Sequence, residues 1–567
     1  MSEIDTDVAI VGGGPGGSTT AAFLRKHNPT LRVGVFERER FPRDHIGESQ
    51  LPIISSILNE LGVWDRVEAC GFPIKIGGTY RWGSSQDLWD FDFLPFGKFD
   101  DAPRPGRFEG QRTFTAFQVD RATYDKVLLD YAAELGADIH EGMPVREVRK
   151  EGDRIDGLIS ANGDEIRARY YVDATGHSGL IRRAMGVHVE EPSSLKNIAI
   201  WDYWRDATWA VSLGIGGTRI QILSLGYGWI WFIPIGPDRT SIGFVCPADY
   251  YKQAGLSPEE LYVRALNEER RLKSLIANAH REGTLTTTKD WSFVAERMTG
   301  PNWFLVGESA GFADPILSAG LSLTHQGAKE LAFLILEAER GGDLDWMCAE
   351  YQRRNERRIR QHIRFADYWY RANTHFSDLK AYTSEIAKDA GLELSADQAF
   401  QWLGTGGFIE EDMGVAGTAL IRLDQLHQIS NRLSQAPAQS MLDGKNLFMP
   451  RIKDAEETTI ARFEDGRVNR VPALVKNGKV LPLHSLFGWM LQGLLHSPSL
   501  DVAFPYLAKE MANAGYEFNN KLHARLCECL EAMIRDGFVV AKRSESMPPI
   551  RHEIPPETAG VRRHVDE

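Results

Sequence analysis

The chain has 567 residues, of which 43% are hydrophobic and 25% are charged. This balance is that of an ordinary globular protein and excludes collagen-like, coiled-coil and wholly disordered classes. The 65 Lys and Arg residues against 78 Asp and Glu residues give a net charge of −13. Nucleic acid is therefore not an expected partner, because binding through bulk electrostatics needs a basic protein.

The five cysteines are scattered, and their only close pair, Cys527 and Cys529, lacks the further ligands of a metal site. We therefore predict no disulfide framework and no bound metal. No apolar run reaches the roughly 18 residues that a membrane span needs. A strand-like segment begins as early as Val8, where a secretory signal would need a charged and then an apolar region. These features predict a cytoplasmic protein with no membrane partner.

The first 40 residues predict a nucleotide-binding unit. A strand over 8–11 runs into a glycine-rich turn that contains Gly12, Gly14 and Gly17, and a second strand ends at Glu37. In a G-x-G-x-x-G turn the first glycine permits the tight turn, and the second lets a pyrophosphate approach the backbone. The third lets the helix pack on the strand. The helix N-terminus then faces the phosphates, and Glu37 accepts hydrogen bonds from a ribose.

The remaining segments predict a mixed fold. Residues 198–245 alternate apolar and polar side chains as in an antiparallel sheet, and 303–306 form one more buried strand. The predicted class is α/β (α+β), with a Rossmann-like domain interleaved with an antiparallel substrate-side sheet at about 190–290. The predicted domains are a core at 1–375, a mainly helical extension at 376–475, a winged-helix-like module at 476–545 and a mobile tail at 546–567.

Four motifs carry a resemblance to a known family. They are the glycine turn with Glu37, the stretch Phe41–Ser49, the window Gly71–Trp82 around Lys75, and the segment Trp229–Pro234. The last matches the signature W-x-W-x-I-P completely. On these motifs the chain resembles the flavin-dependent halogenases, within the p-hydroxybenzoate-hydroxylase-like FAD proteins. The resemblance runs from residue 6 to about 375.

The resemblance implies a two-component enzyme of natural-product biosynthesis that consumes FADH2, dioxygen and chloride or bromide. In the family a separate flavin reductase supplies the reduced flavin. The halide attacks a flavin C4a-hydroperoxide and becomes hypohalous acid, which the protein must deliver to one carbon of an electron-rich substrate. That substrate is expected to be a small aromatic or acyl compound, either free or tethered to a carrier protein.

By resemblance, Lys75 is the catalytic residue. A lysine ammonium can donate a hydrogen bond to hypohalous acid and polarise the halogen. A deprotonated amine can instead capture the halogen as a haloamine, and burial would favour this route by depressing the pKa. The alternative is an ordinary solvated lysine, although the neighbours Ile74 and Ile76 indicate a side chain that points across a sheet face.

Trp229 and Trp231 fall on one face of a strand, because the side-chain period of a strand is two. The resemblance implies that they form an active-site wall, with Ile233 and Pro234, between the flavin and substrate chambers. The alternative is an aromatic pair that only packs in the core.

The segment 307–320 resembles the second FAD fingerprint. Glu308 stands where most relatives have Asp, and backbone amides around Ser318, Ala319 and Gly320 are the expected halide site. Halogenases of free tryptophan carry Glu at the position of Leu317, so the phenol, pyrrole, acyl or carrier-tethered branch is favoured. The resemblance implies cofactor-binding roles for Gly12, Gly14, Gly17, Glu37, Arg43, Gly47, Glu48, Ser49, Arg121, Val145, Asp173, Gly176, Glu308, Pro315 and Gly320.

Three further points stay open at the level of sequence. Asp290, in a D-W-S-like stretch, is a candidate for covalent attachment of FAD. The arginine-rich segment 353–364 predicts a solvated helix face, or else a docking surface for an acidic carrier protein. The alternatives to a halogenase are a single-component aromatic hydroxylase, a prenyl-reductase-like flavoprotein and a non-enzymatic flavoprotein.

Overall fold

The computed structural model describes residues 3–82, 87–93, 112, 115–192, 196–212, 216–374, 440–545, 548–550 and 561–563. The chain divides into two compact units. The first comprises Met1–Trp369, Phe463–Val468 and Arg562–Glu567, and the second comprises Tyr370–Arg462 and Asn469–Val561. The predicted boundary at 375 and most of the predicted extension at 376–475 lie outside the described residues.

The strands are β1 Glu3–Asp5, β2 Val8–Val11, β3 Val33–Glu37, β4 Ile74–Arg81, β5 Trp89–Asp92, β6 Ala116–Phe117, β7 Asp138–Glu141, β8 Val145–Glu151, β9 Arg154–Ser160, β10 Glu165–Arg167, β11 Tyr170–Asp173, β12 Val189–Glu190, β13 Lys196–Arg205, β14 Gly217–Ser224, β15 Trp229–Pro234, β16 Arg239–Pro247, β17 His280–Arg281, β18 Thr286–Trp291, β19 Phe293–Ala295, β20 Trp303–Leu305, β21 Gly311–Phe312, β22 Leu447–Pro450, β23 Glu456–Glu464, β24 Arg467–Lys476, β25 Lys479–Pro482, β26 Val539–Lys542 and β27 Val561–Arg563.

The α-helices are α1 Pro15–His27, α2 Pro52–Leu61, α3 Trp64–Ala69, α4 Arg121–Glu134, α5 Leu180–Ala184, α6 Ala248–Ala254, α7 Pro258–Glu268, α8 Arg270–Leu275, α9 Gly320–Glu339, α10 Leu344–Thr374, α11 Ser485–His496, α12 Leu500–Asn513 and α13 Asn520–Arg535. Short 3-10 turns cover Gly176–Ser178, Gly307–Ser309 and Pro315–Leu317.

A parallel sheet in the order β20-β11-β2-β3-β7 forms the nucleotide-binding half of the first unit. All four residues of β2 are buried, as expected for a strand covered on both faces. Helices α1, α4 and α9 are joined by His325, whose ring is hydrogen-bonded to Thr19 (2.9 Å) and Tyr124 (2.8 Å). Burial lowers the pKa of His325 to about 3, so this histidine is a neutral structural group.

The second sheet follows the order β17-β13-β16-β15-β14-β4-β5, with β18 paired to β13 and β6 to β4. Two of its strands, β4 and β5, come from residues 74–92, well outside the predicted range of about 190–290. One face packs on α7 and α8 through a cluster that includes Ile230, Phe232 and Phe244. The opposite face carries Trp229 and Trp231. The prediction of a mixed fold with parallel and antiparallel sheets is confirmed.

The second unit has its own apolar core, to which α11, α12 and α13 contribute Met490, Leu507 and Leu530. Strand β22 pairs antiparallel with β26, and β23, β24 and β25 form a small separate sheet. The described part of 440–475 therefore contains strands rather than the predicted helices. No helix among the described residues is long and apolar enough to cross a membrane.

Candidate active site

A cavity of about 800 Å³ runs along the first unit from the glycine turn to the second sheet. This volume lies within the range of small-molecule and cofactor sites, about 300–1,000 Å³. The predicted site residues that line it are Gly12, Gly14, Glu37, Arg43, Gly47, Glu48, Ser49, Arg121, Val145, Gly176, Trp229, Trp231, Ile233, Glu308, Pro315, Ser318 and Gly320. Three of the four motifs and the segment 307–320 therefore contribute to one cavity, although their residues lie up to 308 positions apart, whereas no residue of the window Gly71–Trp82 lines it.

The glycine turn has the backbone geometry that the motif predicts. Gly12 has φ +106°, and a Cβ there would lie 2.3 Å from the carbonyl oxygen of Ala174. A Cβ on Gly17 would lie 1.9 Å from the carbonyl oxygen of Gly12, so Gly17 permits helix packing and lies behind the cavity wall. Helix α1 has no side-chain cap at Gly14, which leaves the amides of its first turn for an anionic ligand.

Two backbone amides, one of them in the glycine turn, hold the carboxylate of Glu37 in place. Its Oε2 accepts a hydrogen bond from the Gly13 amide at 2.6 Å, and its Oε1 accepts one from the Glu39 amide at 2.9 Å. The carboxylate lines the cavity. Because a carboxylate has about four acceptor positions, it can still accept bonds from ribose hydroxyls.

Arg121 and Arg43 share one carboxylate that the sequence motifs did not point to. Arg121 forms a bidentate pair with Asp125 (2.8 and 2.9 Å), and Arg43 contacts the same carboxylate at 3.3 Å. Arg121 also donates to the Ile46 carbonyl at 2.7 Å. The ion pair thus fixes the stretch Phe41–Ser49, of which residues 43–49 line the cavity.

Two carboxyl groups, those of Glu48 and Glu308, line the cavity near Arg121. Burial raises the pKa of Glu48, whose Oε1 accepts a hydrogen bond from the Tyr203 hydroxyl at 3.1 Å. Burial also raises the pKa of Glu308. Both side chains therefore hold a proton more readily than exposed carboxylates do.

Asp173 does not line the cavity, contrary to its predicted role in cofactor binding. Its carboxylate accepts bonds from the Thr175 hydroxyl (2.6 Å) and from the Arg182 amide (3.0 Å), so it fixes the turn after β11. Thr175 and Ser178, which the sequence analysis did not single out, line the cavity instead. The sequence pointed to the right turn but to the wrong residue in it, because Asp173 is the last residue of β11 and the lining residues follow it.

Lys75 is aimed by a β-bulge. In the pairing of β4 with β14, Lys75 lies opposite Thr218 and Gly77 lies opposite Arg219, so Ile76 is the extra residue. Without the bulge, Lys75 would share a face with Gly77. With it, Lys75 shares the face of Ile220 and Ile222, which line the cavity. Bulges beside active sites commonly re-aim a side chain in this way.

The Lys75 ammonium lies directly behind the cavity wall. Nζ donates to Ser49 Oγ at 2.8 Å and to Ser318 Oγ at 3.4 Å, and it lies 5.8 Å from the centre of the Phe93 ring. The side chain is 3% exposed, and burial lowers its pKa to about 7. The alternative of a solvated lysine is therefore wrong.

Trp229, Trp231 and Ile233 form a continuous strip on the cavity face of β15. The two indole rings are 5.9 Å apart, and Trp231 Nε1 donates to Ser241 Oγ at 3.1 Å. Pro234, predicted as part of the wall, lies at the end of β15 and does not line the cavity.

We expect Gly243→Ala to displace this wall. Gly243 lies directly opposite Trp231, and a Cβ there would lie 2.0 Å from the indole ring. The ring must move, at a cost of about 1–3 kcal/mol in the free energy of unfolding, and FAD affinity should fall. Urea unfolding and a flavin fluorescence titration measure the two effects.

Gly236→Ala is the matched control, because its Cβ would meet nothing closer than 3.7 Å. Wild-type stability and FAD affinity in Gly243→Ala would mean that the Trp231 ring is not fixed where we place it.

The turn before α9 offers a second helix N-terminus to the cavity. Asp314 accepts from the Ile316 amide at 2.9 Å, Ser318 has φ +56°, and the helix begins at Gly320. A Cβ on Gly320 would meet no atom within 4 Å, and Gly320 lines the cavity, so the backbone there borders open space. Ala319, predicted as part of the halide site, is fully buried and does not line the cavity. The side chain of Asp290 lies outside the described residues, and covalent FAD attachment stays a prediction.

These features fit FAD. The amides at the start of α1 suit the pyrophosphate, and Glu37 suits the ribose. Glu308 lines the same cavity, while the strip of Trp229 and Trp231 and the open backbone at Gly320 suit a flat ring system. The fold and the cavity define a flavin-binding protein of the Rossmann-like type.

Comparison with known proteins shows the family of flavin-binding proteins to which the chain belongs. The tryptophan halogenase family model matches residues 7–109 and 96–379, and the chain belongs to this family. It is 30% identical over 394 residues to the 1H-pyrrole-2-carbonyl-(peptidyl-carrier protein) chlorinase of Pseudomonas fluorescens, covering 66% of this chain and 86% of that protein. It is 32% identical over 358 residues to the tryptophan 2-halogenase of Chondromyces crocatus, covering 61% of this chain and 64% of that protein.

The crystal structure of CmlS, a flavin-dependent halogenase, has the same fold, with a TM-score of 0.72 at 24% identity over 97% of this chain and 98% of that one. The family match, and not the shared fold, makes the protein a flavin-dependent halogenase, an enzyme that uses FADH2, dioxygen and chloride or bromide. The resemblance drawn from the four motifs is confirmed.

Proposed function

We propose that Lys75 receives hypohalous acid and transfers its halogen to an electron-rich substrate. The observation that supports this role is the position of Lys75, which is buried behind Ser49 and Ser318 on the sheet face that carries Trp229 and Trp231. Bound reduced FAD supplies, with dioxygen, the oxidising equivalent for the halide. The protein's own task is to hold the product of that oxidation away from water and direct it to one carbon.

The protonation state of Lys75 suits this task. With a pKa of about 7, the amine and the ammonium are both populated near neutral pH. The amine can displace hydroxide from hypohalous acid, which forms an N–halogen bond and releases water after proton transfer. The ammonium can instead donate a hydrogen bond to hypohalous acid. An increase of rate as the pH rises through about 7 favours the amine route.

The two faces of the site have separate roles in this proposal. Trp229, Trp231 and Ile233 form an apolar wall without acid–base groups, which separates the flavin ring from the substrate. The amides at the start of α9, beside Ser318 and Gly320, bind the halide through the positive end of the helix dipole.

We propose a carrier-tethered aromatic acyl group, such as a pyrrole-2-carbonyl group, as the substrate. The Pseudomonas relative that supports this class is named for such a substrate, and the chain spans 86% of its length. A separate flavin reductase is the proposed partner that supplies FADH2. The second unit, whose helices pack with the β22–β26 pair, is proposed to be a winged-helix-like module with a structural or docking role.

The experiment uses the FAD-loaded protein with NADPH or NADH, chloride or bromide, and a panel of acceptors, with and without an added flavin reductase. The acceptors are pyrrole-2-carbonyl on a carrier protein, free pyrrole-2-carboxylate, a phenol and free tryptophan. We expect halogen isotope patterns only when the reductase is present, and with the tethered pyrrole as the best acceptor. Unaided oxidation of NADPH would exclude the reductase partner, and a preference for tryptophan would exclude the proposed substrate class.

A further inference from the structure

Ser49 contacts Lys75 more closely than any other polar group in the described part of the chain. The Nζ to Oγ distance is 2.8 Å, against 3.4 Å to Ser318, and Ser49 is itself 8% exposed. Ser49 also lines the cavity, whereas Lys75 does not. The Ser49 hydroxyl therefore stands between the lysine and the space where a halogen species would arrive.

Backbone pairing fixes Ser49 from both sides. Ser49 forms a bridge with Gln118. The Val119 amide donates to the Glu48 carbonyl at 2.8 Å, and the Gln50 amide donates to the Phe117 carbonyl at 3.2 Å. Phe117 in turn pairs with Ile74 on β4, the residue before Lys75. The position of the hydroxyl relative to Nζ is thus set by the sheet and not by a mobile loop.

No carboxylate among the described residues pairs with Lys75. The acidic and basic groups on the elements packed around it are engaged elsewhere: Glu48 accepts from Tyr203, Asp92 pairs with Arg219, Asp90 accepts from Thr79, Asp314 accepts from Asn197, Arg81 pairs with Glu269, and Arg121 pairs with Asp125. Lys75 is therefore buried with neutral hydroxyls as its polar partners.

This choice of partner has a chemical consequence. A carboxylate would only accept a hydrogen bond and would hold the lysine as a cation. A hydroxyl accepts from an ammonium and can rotate to donate to a neutral amine. It can therefore remain bonded to Nζ in either protonation state.

We propose that Ser49 is a positioning residue for Lys75, which keeps Nζ directed toward the cavity wall while the amine gains and loses its proton. This inference rests on the proposed role of Lys75. It distinguishes Ser49 from the neighbouring Glu48, whose carboxyl is bonded to Tyr203.

Three variants test the proposal: Ser49→Ala removes the partner, Ser49→Thr keeps the hydroxyl, and Ser49→Asp supplies a carboxylate. The protein is labelled with 13Cε-lysine, and the Lys75 signal is identified by its loss in Lys75→Arg. Its titration midpoint is followed by NMR, and the pH profile of halogenation is recorded for the same proteins.

Ser49→Asp should raise the titration midpoint by about 1–3 pH units, as an opposite charge at this distance does, and shift the pH profile in the same direction. Ser49→Ala should lower the midpoint and reduce halogenation about fivefold, which is the rate equivalent of a hydrogen bond of average strength. Ser49→Thr should restore both properties.

An unchanged midpoint and pH profile in both Ser49→Ala and Ser49→Asp would overturn the positioning role. If Ser49→Asp fails to fold, the contrast between alanine and threonine still decides it, because a merely structural role would not move the lysine titration. Full halogenation by Lys75→Arg would instead overturn the proposed function of Lys75, which separates the two failures.

Discussion

Lys75→Met should lower the rate of substrate halogenation by at least about 100-fold, the lower end of what a positioned acid–base or nucleophilic group contributes. Methionine keeps the length and apolar stem of lysine but removes the Nζ that bonds Ser49 and Ser318. Because burial already disfavours the charged form of Lys75, the apolar replacement should not destabilise the fold. The FAD cavity should also remain intact, since Lys75 does not line it.

The measurement separates oxidation of the halide from its delivery. Halogenated acceptor is followed by mass spectrometry, and hypohalous acid that escapes is trapped with taurine. We expect Lys75→Met to bind FAD normally and to produce trapped halogen without halogenated acceptor. Ser55→Ala, which changes a buried serine on α2 outside the cavity, is the control. Undiminished halogenation in Lys75→Met would contradict the proposed relay.

The sequence identified Lys75 but could not show how the side chain is aimed. The window Gly71–Trp82 pointed to Lys75 by resemblance, and the apolar neighbours Ile74 and Ile76 indicated a strand. In a regular strand, however, Lys75 would lie on the face of Gly77 and Thr79, where the Thr79 hydroxyl donates to Asp90. The bulge at Ile76 reverses this, and it depends on the register between β4 and β14, which are about 140 residues apart in sequence. Such long-range register has no local sequence signal.

The glycine turn and the tryptophan strip were predictable because each is a local pattern. Gly12, Gly14 and Gly17 act within one strand–turn–helix unit, and Trp229 and Trp231 share a face through the period of one strand. The hairpin that joins β24 to β25 also has a local sequence signal, which is the Asn-Gly pair at 477 and 478. Both residues have the positive φ that such a turn requires. This signal was missed: the predicted extension at 376–475, which includes nearly all of β24, was expected to be mainly helical.

The arginine-rich segment 353–364 of α10 was interpreted from composition alone. In the structure, some of its arginines are buried and others are partly exposed. Arg354 and Arg358 are each 5% exposed, so the prediction of a solvated face is wrong for these two residues. Arg360 is half-buried and pairs with Glu356 and Glu190. A docking surface for an acidic carrier would need charges that are free to face outward, and these three are engaged within the unit.

Glu330→Gln should destabilise the first unit by about 3–5 kcal/mol, the cost of leaving buried charges unpaired. Glu330 on α9 accepts hydrogen bonds from Arg354 (2.7 Å) and Arg358 (2.7 Å) on α10, and all three side chains are buried. Glutamine has nearly the same shape but no charge, so both guanidinium groups would lose their counter-ion. Urea unfolding of the FAD-free proteins measures the difference.

The pH dependence of this difference provides a second test. Burial alone would raise the pKa of Glu330, but Arg354 and Arg358 outweigh it and lower the pKa to about 2. Its contribution to stability is therefore complete above the ordinary carboxyl pKa and is lost as the pH falls toward 2. The gap between wild type and Glu330→Gln should shrink over that interval. Glu356→Gln is the control, because it alters the partly exposed pair of Glu356 with Arg360 within α10 and should cost less than about 1 kcal/mol. An equal loss of stability in both variants would show that the buried ion pairs of Glu330 are not what joins α9 to α10.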